Sequence, residues 1–538
     1  MKTLVRLLTL IVALAILSGC GAPAQSGTPE ETTPAGIEFV KNEDPCKLYY
    51  DDVVDLTAEP FKAAAGSTVT ISEQTVTSKQ VAGGAPDTDV LVYDADTLTL
   101  YAAGVGTATL TIDGTDYAIT VSPAPINVFF IGGHSVSAGV GGDPELSVAC
   151  PAGQVYSTYE SYITAKVNEN WGWEYNWSLS KADPEDLSQT GIGHNAENRP
   201  ETIDALTAGN TGTYGSGSGI AYRWNQLTGE KVWLVNCGHG GAGLDEWWEG
   251  AVDYVHTVKL MKNVLTILKN EIAAGHYTFA RMEMFYFSCA NGDQDWEPRE
   301  YKDAFDSMYL GFKQDICMDV DGDGTEEIID NFGLIPHWRP AGNTIVDPAF
   351  NNGQSQNYYI AASAEYPDVY LASSLCRSFD SIAPAKIAGI FTTDYLQYPT
   401  QNGTTPAALV PDSMKNSDTS VFPDTIHCAQ VVQNLQGMIA AESLYKRLTG
   451  TGVGGSVAVY AMDGINTLAD GHTLKVAAYS KYRLTITQPD HVLGSLRVEA
   501  TGNIRYDGVF VTASAAGSGK LTIYSGERVV HTIHFEVN

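Results

Sequence analysis

Positive charge is scarce in this chain. Its 31 Lys and Arg stand against 63 Asp and Glu, a net charge of −32 with an isoelectric point near 4.5. Nucleic acid needs clustered Lys and Arg on its phosphates, so it is excluded as a partner. Adhesion to anionic lipid by charge is excluded as well, whereas a neutral substrate such as a sugar polymer stays open. No Cys-x-x-Cys pair occurs among the 8 cysteines, so zinc and redox motifs are not indicated. Past the first 20 residues no apolar run is long enough to span a bilayer as a helix. Tryptophan is missing from both flanks, because all 9 lie between Trp171 and Trp338. Neither flank therefore offers a Trp platform for sugars, although tyrosines could serve. What is present is a globular composition, with 44% hydrophobic residues, 53 Gly and only 17% charged. At roughly 100–200 residues per domain, the length predicts three or four domains.

The amino terminus predicts the compartment. Lys2 and Arg6 precede an apolar run, Leu7 to Leu17, that ends in Leu17-Ser18-Gly19-Cys20. The run is the length of a signal peptide rather than of a permanent span. Its end resembles the lipobox of bacterial lipoproteins, which implies cleavage before Cys20 and lipidation of that cysteine. Residues 20–39 then read as a flexible tether. The expected product is exported and held at a bacterial cell surface by lipid, with a soluble body. The other seven cysteines are an odd number, so no disulfide pairing is read from them.

Three sections follow. Residues 40–123 alternate short β-branched runs with Gly and Asp turns, including Asp113-Gly114, a hairpin signal. The stretch from Leu100 to Val121 resembles bacterial Ig-like domains of surface proteins, which implies a β-sandwich acting as a spacer or a binding module. Residues 453–538 are again strand-like and predict a second sandwich. Both flanks are expected to hold their own small cores. Residues 124–452 alternate strand and helix. Ile126–Ile131 and Lys231–Val235 read as buried strands, Asp253–Ala273 and Gln430–Leu448 as amphipathic helices, and Arg281–Phe287 as a further strand. That alternation predicts an α/β fold with a parallel sheet whose chemistry sits at the carboxyl ends of the strands.

Four signals fall at those ends. Ser135 lies in Gly132-Gly133-His134-Ser135-Val136, where small residues after a buried strand allow a sharp turn that exposes a hydroxyl. Gly238 to Gly243 follows the second strand, and its glycines let backbone N–H groups approach a ligand, as an oxyanion hole requires. Asn291 lies just past the third strand. Asp424 and His427 precede the last helix, at a spacing that lets a carboxylate fix an imidazole tautomer. Each alone is also what an ordinary loop contains.

In this order the four together resemble the SGNH hydrolases, in the branch of sialate O-acetylesterases and carbohydrate acetylesterases. The resemblance covers roughly residues 124–452. It implies a three-layer, flavodoxin-like core, and it carries Ser135 onto the nucleophile, His427 onto the general base and Asp424 onto its orienting acid. The oxyanion donors fall on the N–H of Ser135, the N–H of Gly241 or its neighbour Gly240, and the side chain of Asn291. His134 and Val136 stand where that branch has Gln and Asn, and Asp293 stands where it has Glu. His134 is expected either to satisfy the loop or to contact substrate. The implied activity is removal of O-acetyl groups from an acetylated glycan through an acyl-enzyme, with no cofactor in catalysis. Two alternatives remain: an SGNH esterase acting on non-carbohydrate esters, and a catalytically silent glycan-binding surface protein.

One acidic motif stands apart. Asp319, Asp321 and Asp323 alternate with Val320 and Gly322 and continue to Thr325 and Glu327. Alternate carboxylates with Gly for the turn suit calcium, a hard cation that takes oxygen ligands. An EF-hand loop would close on a Glu at its twelfth position; here Asp330 stands there, so the pattern is closer to the nine-residue loops of integrin-type repeats. The expected role is structural, and the competing reading is a solvated acidic turn.

Overall fold

The computed structural model describes residues 37–39, 41–81, 87–137, 139, 146–157, 215–238, 242–288, 298–336, 366–373, 397–400, 402–403, 428–449, 458–460, 467–487, 496–507, 510–525 and 528–538. Cys20 and the signal peptide lie outside the described residues.

Seven short strands come first: β1 Lys47–Tyr49, β2 Val53–Asp55, β3 Val69–Val76, β4 Leu91–Asp94, β5 Thr99–Ala102, β6 Gly106–Ile112 and β7 Thr115–Ser122. They form two sheets, ordered β1-β7-β6-β3 and β2-β5-β4. Strand β6 buries every second residue, among them Ala108, Leu110 and Ile112, as a one-sided sheet requires. The Asp113-Gly114 hairpin is as expected. Ile112 pairs with Thr115, and both loop residues have positive φ, 49° and 83°, the backbone of a type I′ turn.

The middle of the chain builds a six-stranded sheet in which every pair is parallel. Its strands are β8 Ala124–Gly133, β9 Val155–Ser157, β10 Lys231–Asn236, β11 Tyr277–Ser288, β12 Asn331–Pro336 and β13 Val369–Leu371, in the order β13-β12-β11-β8-β10-β9. Helices cover both faces. They are α1 Ser216–Thr228, α2 Val252–Ala274, α3 Pro298–Asp315 and α4 Gln430–Thr449. Successive residues of β8 point to opposite faces. Phe129 packs on Trp224 of α1, while Phe130 packs on Phe312 of α3, against which Tyr254 of α2 stacks. Helices α1 and α4 cross at two glycines. A Cβ at Gly219 would lie 2.2 Å from the Asn434 carbonyl oxygen, and one at Gly437 would lie 2.0 Å from that of Ser216. The carboxyl-terminal section is made of antiparallel ribbons with one parallel pair, His472–Val476 beside Arg528–Val537.

Helix α4 departs from the amphipathic expectation. Every residue from Gln430 to Leu444 is buried, including Gln433, Asn434, Gln436 and Glu442. Gln430, Asn434 and Glu442 find partners far along the chain. Gln430 Nε2 donates to the Gly215 carbonyl at 3.1 Å, and Asn434 Nδ2 to that of Leu146 at 2.9 Å, while Arg223 pairs with Glu442. Buried polar groups that are bonded in this way cost little.

The junction between the first β section and the parallel sheet is also unlike a spacer's. It lies at the amino ends of the core strands and is built from buried charges. Lys231, 1% exposed at its side chain, pairs with Asp52 at 2.7 Å, and Gln154 Nε2 donates to the same carboxylate at 2.8 Å. The Tyr156 hydroxyl donates to Asp51 at 3.2 Å. His276 sits between Glu271 on Nδ1, at 2.6 Å, and Asp87 on Nε2, at 2.7 Å, with Tyr50 stacked on its ring. Burial pulls the imidazole pKa down, but hydrogen bonds to Asp87 and then Glu271 override it and hold the value at about 9. The apolar core runs through this junction without a break.

The junction can be probed by truncation and by pH. A chain beginning at residue 124 takes Asp52, Asp51 and Asp87 away from Lys231, Tyr156 and His276 and uncovers the apolar core that runs through the junction. It should unfold at markedly lower urea than the chain from residue 37. His276 has a folded pKa raised above its ordinary 6.5. Its contribution is therefore complete below the ordinary value and fades as pH rises through about 9. Melting temperature should fall across that alkaline range, and His276→Gln should flatten the fall while lowering stability near neutrality by a few kcal/mol. A pH-independent difference between the two proteins would show that His276 acts only by packing.

Candidate functional site

The strand order locates a crevice. From β8 the chain moves towards β10 and β9, whereas from β11 it moves to the other side, towards β12 and β13. Connections that diverge in this way leave a cleft at the carboxyl ends of the two central strands, where open α/β sheets bind ligands. Ser135 follows the end of β8 by two residues, at the mouth of that cleft, and is half-buried.

The turn that presents Ser135 depends on Gly133. Gly133 pairs with Phe287 of β11 and has φ +121°. A Cβ there would lie 2.1 Å from the Phe287 carbonyl oxygen, so the backbones touch where only glycine fits. Beyond it the turn closes on itself. The Ser137 hydroxyl donates to the His134 carbonyl, and Gly139 N–H donates to the Val136 carbonyl at 3.0 Å. The His134 ring is buried with Nδ1 3.3 Å from Ser135 Oγ. It thus packs within the loop and touches the hydroxyl that the sequence marks as nucleophile.

Strand β10 ends beside this turn. Cys237 N–H donates to the Ile131 carbonyl at 2.8 Å, which keeps the two strand ends together. Asn236, the last residue of β10, donates from Nδ2 to the Ser137 carbonyl at 3.1 Å and accepts from Gly238 N–H at 2.9 Å. The sequence reading missed it; its only signal was a polar residue closing an apolar strand. The chain then passes through Gly241 and its neighbour Gly240, which lie outside the described residues, and returns at Ala242. Gly243 N–H bonds to the Glu246 carboxylate at 3.1 Å, and Trp247 is fully buried. A Cβ at Gly132 would sit 3.0 Å from the Trp247 ring, so this indole anchors the glycine loop against β8. Cys237 is half-buried beside this turn, and desolvation pushes its thiol up to about 12, which disfavours the thiolate.

Asn291, Asp424 and His427 lie outside the described residues, as does Asp293. The chain is described again at Cys428, the residue after His427. Gln433 Nε2 donates to the Cys428 carbonyl at 2.7 Å, and Gln433 also reaches Gly215 at the start of α1. A Cβ at Gly215 would lie 2.9 Å from Gly139 Cα, so the start of α4, the start of α1 and the Ser135 turn share one corner.

The acidic loop lies elsewhere. It joins the end of α3 to the start of β12, opposite the strand ends that carry Ser135. One oxygen from each of Asp319, Asp321 and Asp323 lies within 4.8 Å of the others. Their carboxylates also accept N–H bonds from Gly322, Asp323 and Thr325. Glu327 is not in that group. The Glu327 carboxylate instead accepts from Val320 N–H at 2.6 Å, and Glu327 forms a bridge to Met318. Among the described residues no disulfide links Cys46, Cys150, Cys237, Cys317 or Cys428.

No known protein-family profile matches the chain, and no curated protein matches it in sequence. Among solved structures it is similar to a carbohydrate acetylesterase from Xanthomonas citri, at 11% identity over 91% of this chain and 95% of that one, with a TM-score of 0.26. It is also similar to a protein from Arabidopsis thaliana, at 14% identity over 39% of this chain and 74% of that one, with a TM-score of 0.22. At these scores neither likeness assigns a reaction to this chain.

The contact between Gly133 and Phe287 makes a direct prediction. Gly133→Ala must move one of two central strands, at a cost of about 2–4 kcal/mol. A lowered melting temperature with slower labelling of Ser135 by a fluorophosphonate is expected. Unchanged values in both would show that the close approach is not required.

Proposed function

We propose that the chain is a cell-surface serine esterase that removes O-acetyl groups from carbohydrate. The observation that carries this reading is the placement of Ser135, on a turn that requires glycine at 133, at the divergence of the two central strands. Its supports are the motif order Ser135, Gly241, Asn291, Asp424, His427 and the parallel sheet covered by helices on both faces. In this mechanism Ser135 Oγ attacks the ester carbonyl while His427 takes its proton and Asp424 holds the imidazole. The developing oxyanion is met by the N–H groups of Ser135 and Gly241 and by the Asn291 amide. Water then hydrolyses the acyl-enzyme and releases acetate. A lipid on Cys20 would hold the body at the bacterial surface, with the Ig-like section between membrane and core.

Calcium belongs to the same proposal as a structural ion. Asp319, Asp321 and Asp323 supply the hard oxygen donors, and Thr325 and Glu327 complete the set the sequence suggests. Its position away from the cleft gives it no part in the reaction.

The nucleophile is tested by substitution. Ser135→Ala and His427→Ala should each reduce acetate release from acetylated xylan, pectin or sialosides by about 10³-fold or more, and Asp424→Asn should leave a measurable residue. Near-normal turnover in Ser135→Ala would sink the assignment. Fluorophosphonate labelling of Ser135 without acetate release from any glycan would point to another ester, and absence of labelling to a silent binding protein. For the ion, chelation should lower the melting temperature, the stability lost being RT ln(1 + [L]/Kd) in free energy. Unchanged stability with no calcium by elemental analysis would leave an acidic turn.

A further inference from the structure

We infer that Asn236 is a positioning residue, whose side-chain amide sets the distance between the nucleophile turn and the oxyanion loop. The role rests on the esterase reading of Ser135. One planar amide bonds to both loops, donating to the Ser137 carbonyl at 3.1 Å and accepting from Gly238 N–H at 2.9 Å. The first contact is two residues past Ser135, and the second is three residues before Gly241. Its base is fixed, because Asn236 pairs with Ile131 in the sheet and Cys237 N–H bonds to the Ile131 carbonyl. A rigid strand end thus ties its own loop, two positions on, to a turn that lies 99 positions earlier in the chain. The chemistry demands a donor and an acceptor on one short side chain. Aspartate keeps the acceptor, loses the donor, and sets a carboxylate against a carbonyl oxygen; leucine loses both bonds.

Orientation errors of an ångström cost on the order of 10²-fold in rate. Asn236→Asp is therefore expected to lower kcat on 4-nitrophenyl acetate by roughly 10–10²-fold with little change in KM, and to slow fluorophosphonate labelling of Ser135 in parallel. At acid pH the substituted carboxyl takes up a proton, regains the donor, and the ratio of variant to unsubstituted rate should rise. His134 and Cys237, and Asp253 of α2 beside Cys237, are the same in both proteins, so the ratio isolates the substituted group. Asn236→Leu should be slow at every pH. Wild-type kcat in both variants, with Ser135 labelled normally, overturns the positioning role. So does a loss that follows melting temperature and shows no recovery at acid pH. Absence of Ser135 labelling in the unsubstituted protein overturns the esterase reading itself, and this role with it.

Discussion

The structure depends on the burial of one strand. Strand β8 runs ten residues from Ala124 to Gly133, paired on both sides and covered on both faces. Its first N–H bonds to His276 at the junction with the β section, and its last residue touches Phe287 beneath the Ser135 turn. One element therefore joins the buried charges of the junction to the turn that carries Ser135. A slip of one residue would exchange Phe129 and Phe130 between two differently filled layers, so register is strongly specified. The polar exception, Asn127, is held by the Lys231 carbonyl at 2.9 Å and the Glu230 carboxylate at 3.1 Å.

The two ends of the sheet use polarity in opposite ways. At the amino ends, Lys231, His276, Asp52, Asp87 and Glu271 are withdrawn from water and paired, which locks the β section in place and leaves little freedom. At the carboxyl ends, glycine turns and amide bonds hold short loops around a cleft that stays accessible at Ser135. Stability and chemistry are thereby set a full strand apart. Elsewhere a perturbed group need not mark a site. The Glu283 carboxyl is pushed well above its usual range by burial, yet it sits mid-strand beside Asn331, away from the cleft.

Local pattern made much of the architecture legible. Period-two alternation marked β6, the Asp-Gly pair marked its hairpin, and near-continuous apolar runs marked β8 and β10. Helices α2 and α4 fall within a residue of the expected bounds. The turn that carries Ser135 was legible for the same reason, since a buried strand running into Gly-Gly can hardly continue straight. The acidic loop was legible in composition, and Asp319, Asp321 and Asp323 stand close together in it.

What the local pattern could not decide was the partner of each polar side chain. Helix α4 reads as amphipathic, yet Gln433 and Asn434 are buried in it, and Asn434 bonds to the Leu146 carbonyl far along the chain. Lys231 reads as an ordinary strand-end cation until Asp52, 179 positions away, meets it in the interior. Asn236 reads as a strand terminus until topology sets the Ser137 turn beside it. Spacing along the chain fixes what neighbours within a few residues can do, through steric preference and periodic burial. Pairing between distant parts of the chain is decided by the order of strands in the sheet, which only the folded chain sets.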